Sequence, residues 1–246
     1  MALLIRSFYL AIGLVLMATP AAAAEQLVVV TETWALYVYD DDGVTKGFDY
    51  EVMVAVLKKM GYTADCRFYP WKRCLTMVRA QEVDAILDVS LNPERSKQMF
   101  FPDEHISEST SVLFFLRGRP DNFNVLSDLA GLKIGTVLGY FYNQAIQDAD
   151  YFIKEPVRDI EQNFNKLLAG RIDMFISNKH VGLFNAHKLG LLDRIDYTKK
   201  RISGGRNYVA FALKPANKDL ARAFSVRLKS FKTTDRYQAI LQKYGQ

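Results

Sequence analysis

Two cysteines are too few for a disulfide scaffold, and three histidines leave little for a histidine-rich metal site. The histidines (His105, His180 and His187) are also scattered, so no metal is expected. Fourteen glycines and seven prolines exclude a collagen-like or low-complexity chain. Catalytic patterns are missing as well: there is no Gly-x-Ser-x-Gly elbow, no His-Glu-x-x-His and no phosphate-cradling glycine loop. Gly131, Gly135 and Gly139 are spaced by four and do not match a dinucleotide fingerprint, so no cofactor is expected. A net charge of +5 does not demand nucleic acid, and Lys199-Lys200-Arg201 before Gly204-Gly205 reads as a solvated loop. What the chain does have is apolar mass. Half of its 246 residues are hydrophobic, with 16 Phe, 13 Tyr and 2 Trp, enough for one large or two modest domains with a real core.

The N-terminus carries an export pattern. Arg6 gives a short positive region, Phe8–Ala18 an apolar one, and Pro20 with Ala21–Ala24 a small-residue cleavage site before Glu25. The apolar run is shorter than the roughly 20 residues a membrane span needs. No cysteine follows it to take a lipid anchor, and no later segment is long and uncharged. Residues 1–24 are therefore read as a signal peptide, leaving 222 residues with charge +4 in an oxidising compartment. There Cys66 and Cys74, eight apart, are either a disulfide worth about 2–3 kcal/mol or two buried thiols.

From Glu25 the chain alternates strand and helix, which argues for an α/β protein built on parallel sheets. The pattern predicts strands at 27–31, 64–69, 83–88, 111–116, 133–137, 172–177 and 208–213. Helices are predicted at 47–60, 71–80, 141–149, 157–168 and 179–188, with two more closing the chain. One internal similarity stands out. Ala80-Gln-Glu-Val-Asp84-Ala-Ile-Leu and Ala169-Gly-Arg-Ile-Asp173-Met-Phe-Ile both read as helix end, turn, Asp and apolar strand. This repeat, 89 residues apart, suggests two lobes built alike. Ligands in open parallel sheets sit beyond the carboxyl ends of strands. Residues 88–92 and 177–179 are then expected to face one another across a cleft.

Several motifs, in this order, resemble the periplasmic solute-binding proteins of family 3, the polar amino-acid group. Gly47-Phe48-Asp49 resembles the opening of that family's first helix. Tyr69-Pro70-Trp71-Lys72-Arg73 with Asp84-Ala85-Ile86 resembles its strand–helix–strand unit, and Asn92-Pro93-Glu94-Arg95 with Phe101-Pro102-Asp103 the segment that follows. Leu129-Ala-Gly131-Leu-Lys-Ile134-Gly135 and Leu168-Ala-Gly170-Arg-Ile-Asp173 are similar to its second lobe, and Tyr237…Lys243-Tyr244-Gly245 to its closing helix. The resemblance implies a two-lobed α/β fold. Lobe one would be 25–113 plus 208–246, and lobe two 114–207. It also implies capture of a small polar solute, an amino acid or related carboxylate, in the periplasm for an ABC permease.

Carried over by motif, Arg95 is implied as the ligand-carboxylate anchor, and a planar guanidinium suits that task. Ser90 and Asn92 flank its loop. Trp34 and Tyr37, with Tyr69 and Trp71, follow the first two strands where the family places aromatic walls. Arg73, a cation in a helix's first turn, is a second carboxylate candidate. This chain departs from the family at two places. Tyr140 and Phe141 stand where the family has hydroxyls. Asn178 stands where it has the acid for the ligand's ammonium, with Asp88, Glu32 or Glu108 as substitutes, failing which the ligand is an anion. Two other classes stay open: an enzyme on the same fold, such as a cyclohexadienyl dehydratase, and a monomeric binder that docks on a membrane sensor.

Overall fold

The computed structural model describes residues 24–245, so the proposed signal peptide lies, apart from Ala24, outside the described residues. The first half runs β1 (Glu25–Thr31), β2 (Tyr39–Asp41), β3 (Val44–Lys46), α1 (Phe48–Lys59), β4 (Tyr62–Phe68), α2 (Trp71–Arg79), β5 (Ala85–Ser90), β6 (Met99–Phe100) and β7 (Ser107–Leu116). The second runs β8 (Lys133–Val137), α3 (Gln144–Asp148), β9 (Ile153–Val157), α4 (Ile160–Leu168), β10 (Met174–Asn178), α5 (Lys179–Lys188) and β11 (Ile195–Tyr197). The chain then returns through β12 (Ser203–Ala212) and ends with α6 (Asn217–Phe231) and α7 (Asp235–Tyr244).

The valines of β1 show how pattern becomes layer. Successive strand residues point to opposite faces. Val29 joins the core under α1, α6 and α7, while Val28 and Val30 face the core under α2. Helix α1 buries Val52, Met53, Val56 and Leu57, a stripe at helical spacing. Its first N–H groups have no partner within the helix; those of Phe48 and Asp49 donate to the Leu36 and Tyr37 carbonyls. Such close docking needs Gly47, at φ 126°, where a Cβ would lie 2.2 Å from the Tyr37 oxygen. The second half packs on Phe114, Phe164 and Phe175, with Phe114 stacked on Phe175 at 5.3 Å and Phe164 edge-on to it at 4.8 Å.

The internal repeat is structural. Asp84 accepts from the Val28 N–H at 2.8 Å, and Asp173 accepts from the Lys133 N–H at 2.8 Å. In both halves, then, a carboxylate at the foot of one parallel strand ties down the start of another. Each is neutralised by a cation from elsewhere in the chain, Lys214 at 2.6 Å and Arg119 at 3.2 Å.

The sheet is mixed rather than parallel. Its order is β4-β1-β5-β12-β7-β10-β8-β9, with β12 antiparallel to both β5 and β7, and β7 antiparallel to β10. Long strands β7 and β12 extend beyond the expected 111–116 and 208–213 because 107–111 and 203–207 pair with each other between the halves. Those added residues are Ser, Glu, Thr, Gly, Arg and Asn, which carry no apolar alternation to betray a strand. Residues 153–157, of which only Val157 was assigned to an element as the start of a helix, form β9, an edge strand that tolerates Pro156. The helix expected at 141–149 shrinks to Gln144–Asp148 because Asn143 caps it late, accepting from the Ile146 N–H at 2.7 Å. Hairpin β2–β3 and the short strands β6 and β11 were not expected.

Cys66 and Cys74 are free thiols. Cys66 pairs in register with Val29 and packs on the α1 side of the sheet; Cys74 is fully buried on the α2 side. A strand layer separates them, so the candidate disulfide is not formed. Burial pushes both thiols up to about 12.

Candidate functional site

A cavity of about 380 Å³ opens where β1, β5, β7 and β12 meet the loops after β8 and β10. It is in the size range of small-molecule sites. Of the residues expected here, Arg95, Ser90, Trp71, Trp34, Tyr140 and Asn178 share its wall. Asn92 does not; it supports Arg95 from behind, its Oδ1 accepting from the Arg95 N–H at 2.8 Å. Arg73 is also off the wall, lying over the Tyr69 ring at 4.6 Å. That contact explains a cation in the first turn of α2 without a bound anion. Of the expected 88–92 and 177–179, Asp88, Ser90, Leu91 and Asn178 do face a common space, while Val89 points into the core under α2.

Arg95 is only 3% exposed, and its acceptors are neutral oxygens. Nη1 donates to the Ser90 carbonyl at 2.9 Å and to Ser90 Oγ at 2.8 Å, while Nη2 donates to the Gly139 carbonyl at 2.7 Å. A guanidinium has five donors. Among the described residues, Nε–H and one Nη2–H are left without an acceptor. Desolvation lowers the group to about 10, so it stays charged at neutral pH. A buried cation without a carboxylate partner is costly unless an anion arrives.

The two halves touch at this site. The Gly139 carbonyl accepts from Trp71 Nε1 at 3.2 Å as well as from Arg95. Tyr140 OH donates to Glu32, and its ring meets Trp71 edge-on at 6.2 Å. Asn178 Nδ2 donates to Tyr37 OH at 3.3 Å. Asn178 is otherwise committed to α5: its Oδ1 caps the helix, accepting from the N–H groups of His180 and Val181 at 2.9 and 3.1 Å. That leaves it little to offer a ligand.

Acidity comes from the first half instead. Glu32 and Asp88 both reach the cavity wall; Glu108 does not, and pairs outside with His105 and Arg206. Burial pushes Glu32 up to about 8, against the lowering effect of the Tyr140 hydroxyl and the Trp71 N–H. Asp88 is held well above the usual carboxyl range by burial, then by Asp49. Trp34 Nε1 and both Asp88 carboxyl oxygens are buried without a hydrogen-bond partner among the described residues. The hydroxyls of Ser109, Ser111 and Ser203, with Asn207, line the floor from the crossing strands. No sequence signal marked these four: Ser109, Ser203 and Asn207 lie on polar strand segments that were not predicted, and Ser111 heads a predicted strand without a motif; Arg206 and Tyr142 went unnoticed for want of a motif.

An α/β chain whose halves are joined by two long strands, and which meet around a polar, aromatic-walled cavity, is a two-lobed solute-binding protein. Residues 27–246 match the bacterial extracellular solute-binding proteins, family 3, and the chain belongs to that family. Among curated relatives, the ABC transporter arginine-binding protein 1 of Escherichia coli (strain K12) is 27% identical over 205 residues, covering 80% of this chain and 81% of the relative. An ancestral arginine-binding protein solved with arginine has a TM-score of 0.77 at 21% identity, over 90% of this chain and 99% of that one. A histidine kinase sensor domain scores 0.80 at 21% identity, over 90% and 96%. Among the described residues no helix is long and apolar enough to cross a membrane.

Proposed function

We propose that this chain is a periplasmic receptor that captures an amino-acid-sized carboxylate and presents it to an ABC importer, as a monomer and without chemical turnover. The observation that carries this reading is Arg95: a buried guanidinium, with no acid partner among the described residues and two unused donors on the wall of an open cleft. Two N–H groups on one planar cation match the two oxygens of a carboxylate. Trp34, Trp71 and Tyr140 supply apolar walls for the rest of the solute. The arginine-binding relatives support an amino acid as the solute. Lobes of residues 25–113 with 208–246, and of 114–207, would open and close about the paired strands β7 and β12, the movement an importer can sense.

Thermal melting of the protein against L-amino acids, dicarboxylates and aromatic acids tests this. A ligand at 100 times its Kd stabilises by about 2.7 kcal/mol, a visible shift. Arg95→Ala should weaken the selected ligand about 10- to 100-fold, the loss of charge-assisted bonds of about 1.5–3 kcal/mol. A wild-type shift that survives in Arg95→Ala refutes the anchor, and product formation in the same sample refutes pure binding.

A further inference from the structure

Asp88 has no ordinary reason to be where it is. It lies within β5, yet its backbone sits at φ 65°, in the left-handed region that non-glycine residues seldom adopt. Its side chain reaches the cavity wall, and both carboxyl oxygens are buried with no donor among the described residues. Glu32, by contrast, is satisfied within the protein by the Tyr140 hydroxyl and the Trp71 N–H.

Behind Asp88 stands a second acid. Asp49, in the first turn of α1, is wholly buried. Its Oδ2 accepts from Ser107 Oγ at 2.5 Å, and that hydroxyl in turn accepts from Asn207 Nδ2 at 2.9 Å. Its Oδ1 has no donor among the described residues, and its carboxyl lies close enough to that of Asp88 for each to shift the other's titration. Two carboxyl groups in contact and shielded from water cannot both ionise; they hold a proton between them. The surroundings do not relieve them. Glu32, just past β1, is itself held protonated up to about 8 and adds negative charge only once it ionises. Tyr37 from the following loop, Cys66 on β4 and Tyr237 on α7 are neutral groups near the pair. Lys232, just past α6, attracts Asp49 but is already bonded to Glu104 and the His105 carbonyl, each at 2.6 Å.

We propose that Asp88, backed by Asp49, seats a positively charged nitrogen of the ligand, and that seating it expels the proton the two acids share. The inference rests on the carboxylate-capturing role of Arg95. It gives the ligand its second pole: carboxylate toward Arg95, cationic nitrogen toward Asp88. One proton leaves for solvent as one cationic group enters, so the charge of the protein–ligand complex matches that of the empty protein plus the ligand's carboxylate. The ammonium-binding task thus moves from the head of α5, where Asn178 is occupied with capping, to the end of β5. Burial of both groups, and for Asp88 also the charge and hydrogen bond of Asp49, keep the proton in place at neutral pH, with Asp49 raised to about 6 and Asp88 well above its ordinary value.

The test is calorimetric titration with L-arginine at pH 7, in phosphate and in Tris. These buffers differ in ionisation enthalpy, so the difference in heat counts the protons released. The wild type should release about one, and its affinity should rise up to about tenfold per pH unit where the pair stays protonated when empty. Asp88→Asn tolerates the left-handed backbone; it should bind at least about tenfold more weakly and release none. Asp49→Asn keeps the acceptor for Ser107 and offers an N–H to Asp88, so it should still bind L-arginine while proton release is lost. Binding without proton release, or release that survives in Asp88→Asn, overturns the inference and leaves the Arg95 anchor standing. If succinate stabilises the protein where no amine-bearing solute does, the inference also falls. If no carboxylate binds at all, the functional reading fails instead, and carboxyl-carbon NMR of the two aspartates still decides. A linked two-step titration with one step above pH 6 supports the shared proton, and two independent titrations near pH 4 overturn it.

Discussion

Glu32 makes the stability of this protein depend on pH in an unusual direction. Its carboxyl goes from an ordinary 4.5 in the unfolded chain to about 8 in the fold, chiefly through burial. Between those values the folded protein holds a proton that the unfolded chain has lost. Stability therefore falls as pH rises through that window, by about 1.4 kcal/mol per unit and about 4–5 kcal/mol in all. Below the unfolded value both states are protonated and the contribution of Glu32 is fully present; above the folded value it is gone. Asp49 and Asp88, also raised, act in the same direction, whereas His105, lowered by burial, works weakly against them. Denaturant unfolding at several pH values from 5 to 8 should show the midpoint falling steadily. Glu32→Gln should flatten the slope by about one proton's worth while retaining the part due to the aspartates. Wild-type stability that is flat or rising over this range, or an unchanged slope in Glu32→Gln, refutes the reasoning.

Other substitutions test the fold that holds the site. Asn178→Ala removes the cap of α5 and should cost about 0.5–2 kcal/mol in denaturant unfolding. Phe114→Ala empties the centre of the second core and should cost about 3–5 kcal/mol by the same measurement. A thiol reagent should label neither cysteine readily at native pH, because Cys74 is buried, Cys66 half-buried and both thiolates disfavoured, but should count two thiols after denaturation. Finding no free thiol in the denatured protein would show the bridge to exist.

The sequence showed best what is local and periodic. The alternation of β1 and the stripe of α1 need only neighbours a few residues away, and the Asp84 and Asp173 repeat announced two halves of one plan. Antiparallel pairing across the middle of the sheet was hidden, because 107–111 and 203–207 are polar and meet only in the folded chain. The site follows the same division. Arg95, Trp34 and Trp71 were legible from motif and strand end, and Asp88 was within view as a spare acid. What could not be read was commitment. Asn178 is consumed by its helix, Arg73 by Tyr69, and Asp88 by a second carboxyl 39 residues upstream, and such pairings exist only in three dimensions.

Under the receptor role proposed above, the Gly139 carbonyl, shared by Arg95 and Trp71, sets a baseline for signalling. Those two bonds join the halves through protein atoms alone, so part of the free energy of shutting the cleft is independent of solute. A solute then contributes only the remainder, which raises its apparent affinity by enlarging the competent fraction it meets. The same bonds also populate a shut, unloaded receptor, which would compete with the loaded one for any membrane partner that recognises shape. High affinity and low idle traffic are therefore opposed in this molecule, and the strength of two hydrogen bonds to one oxygen sets the compromise between them.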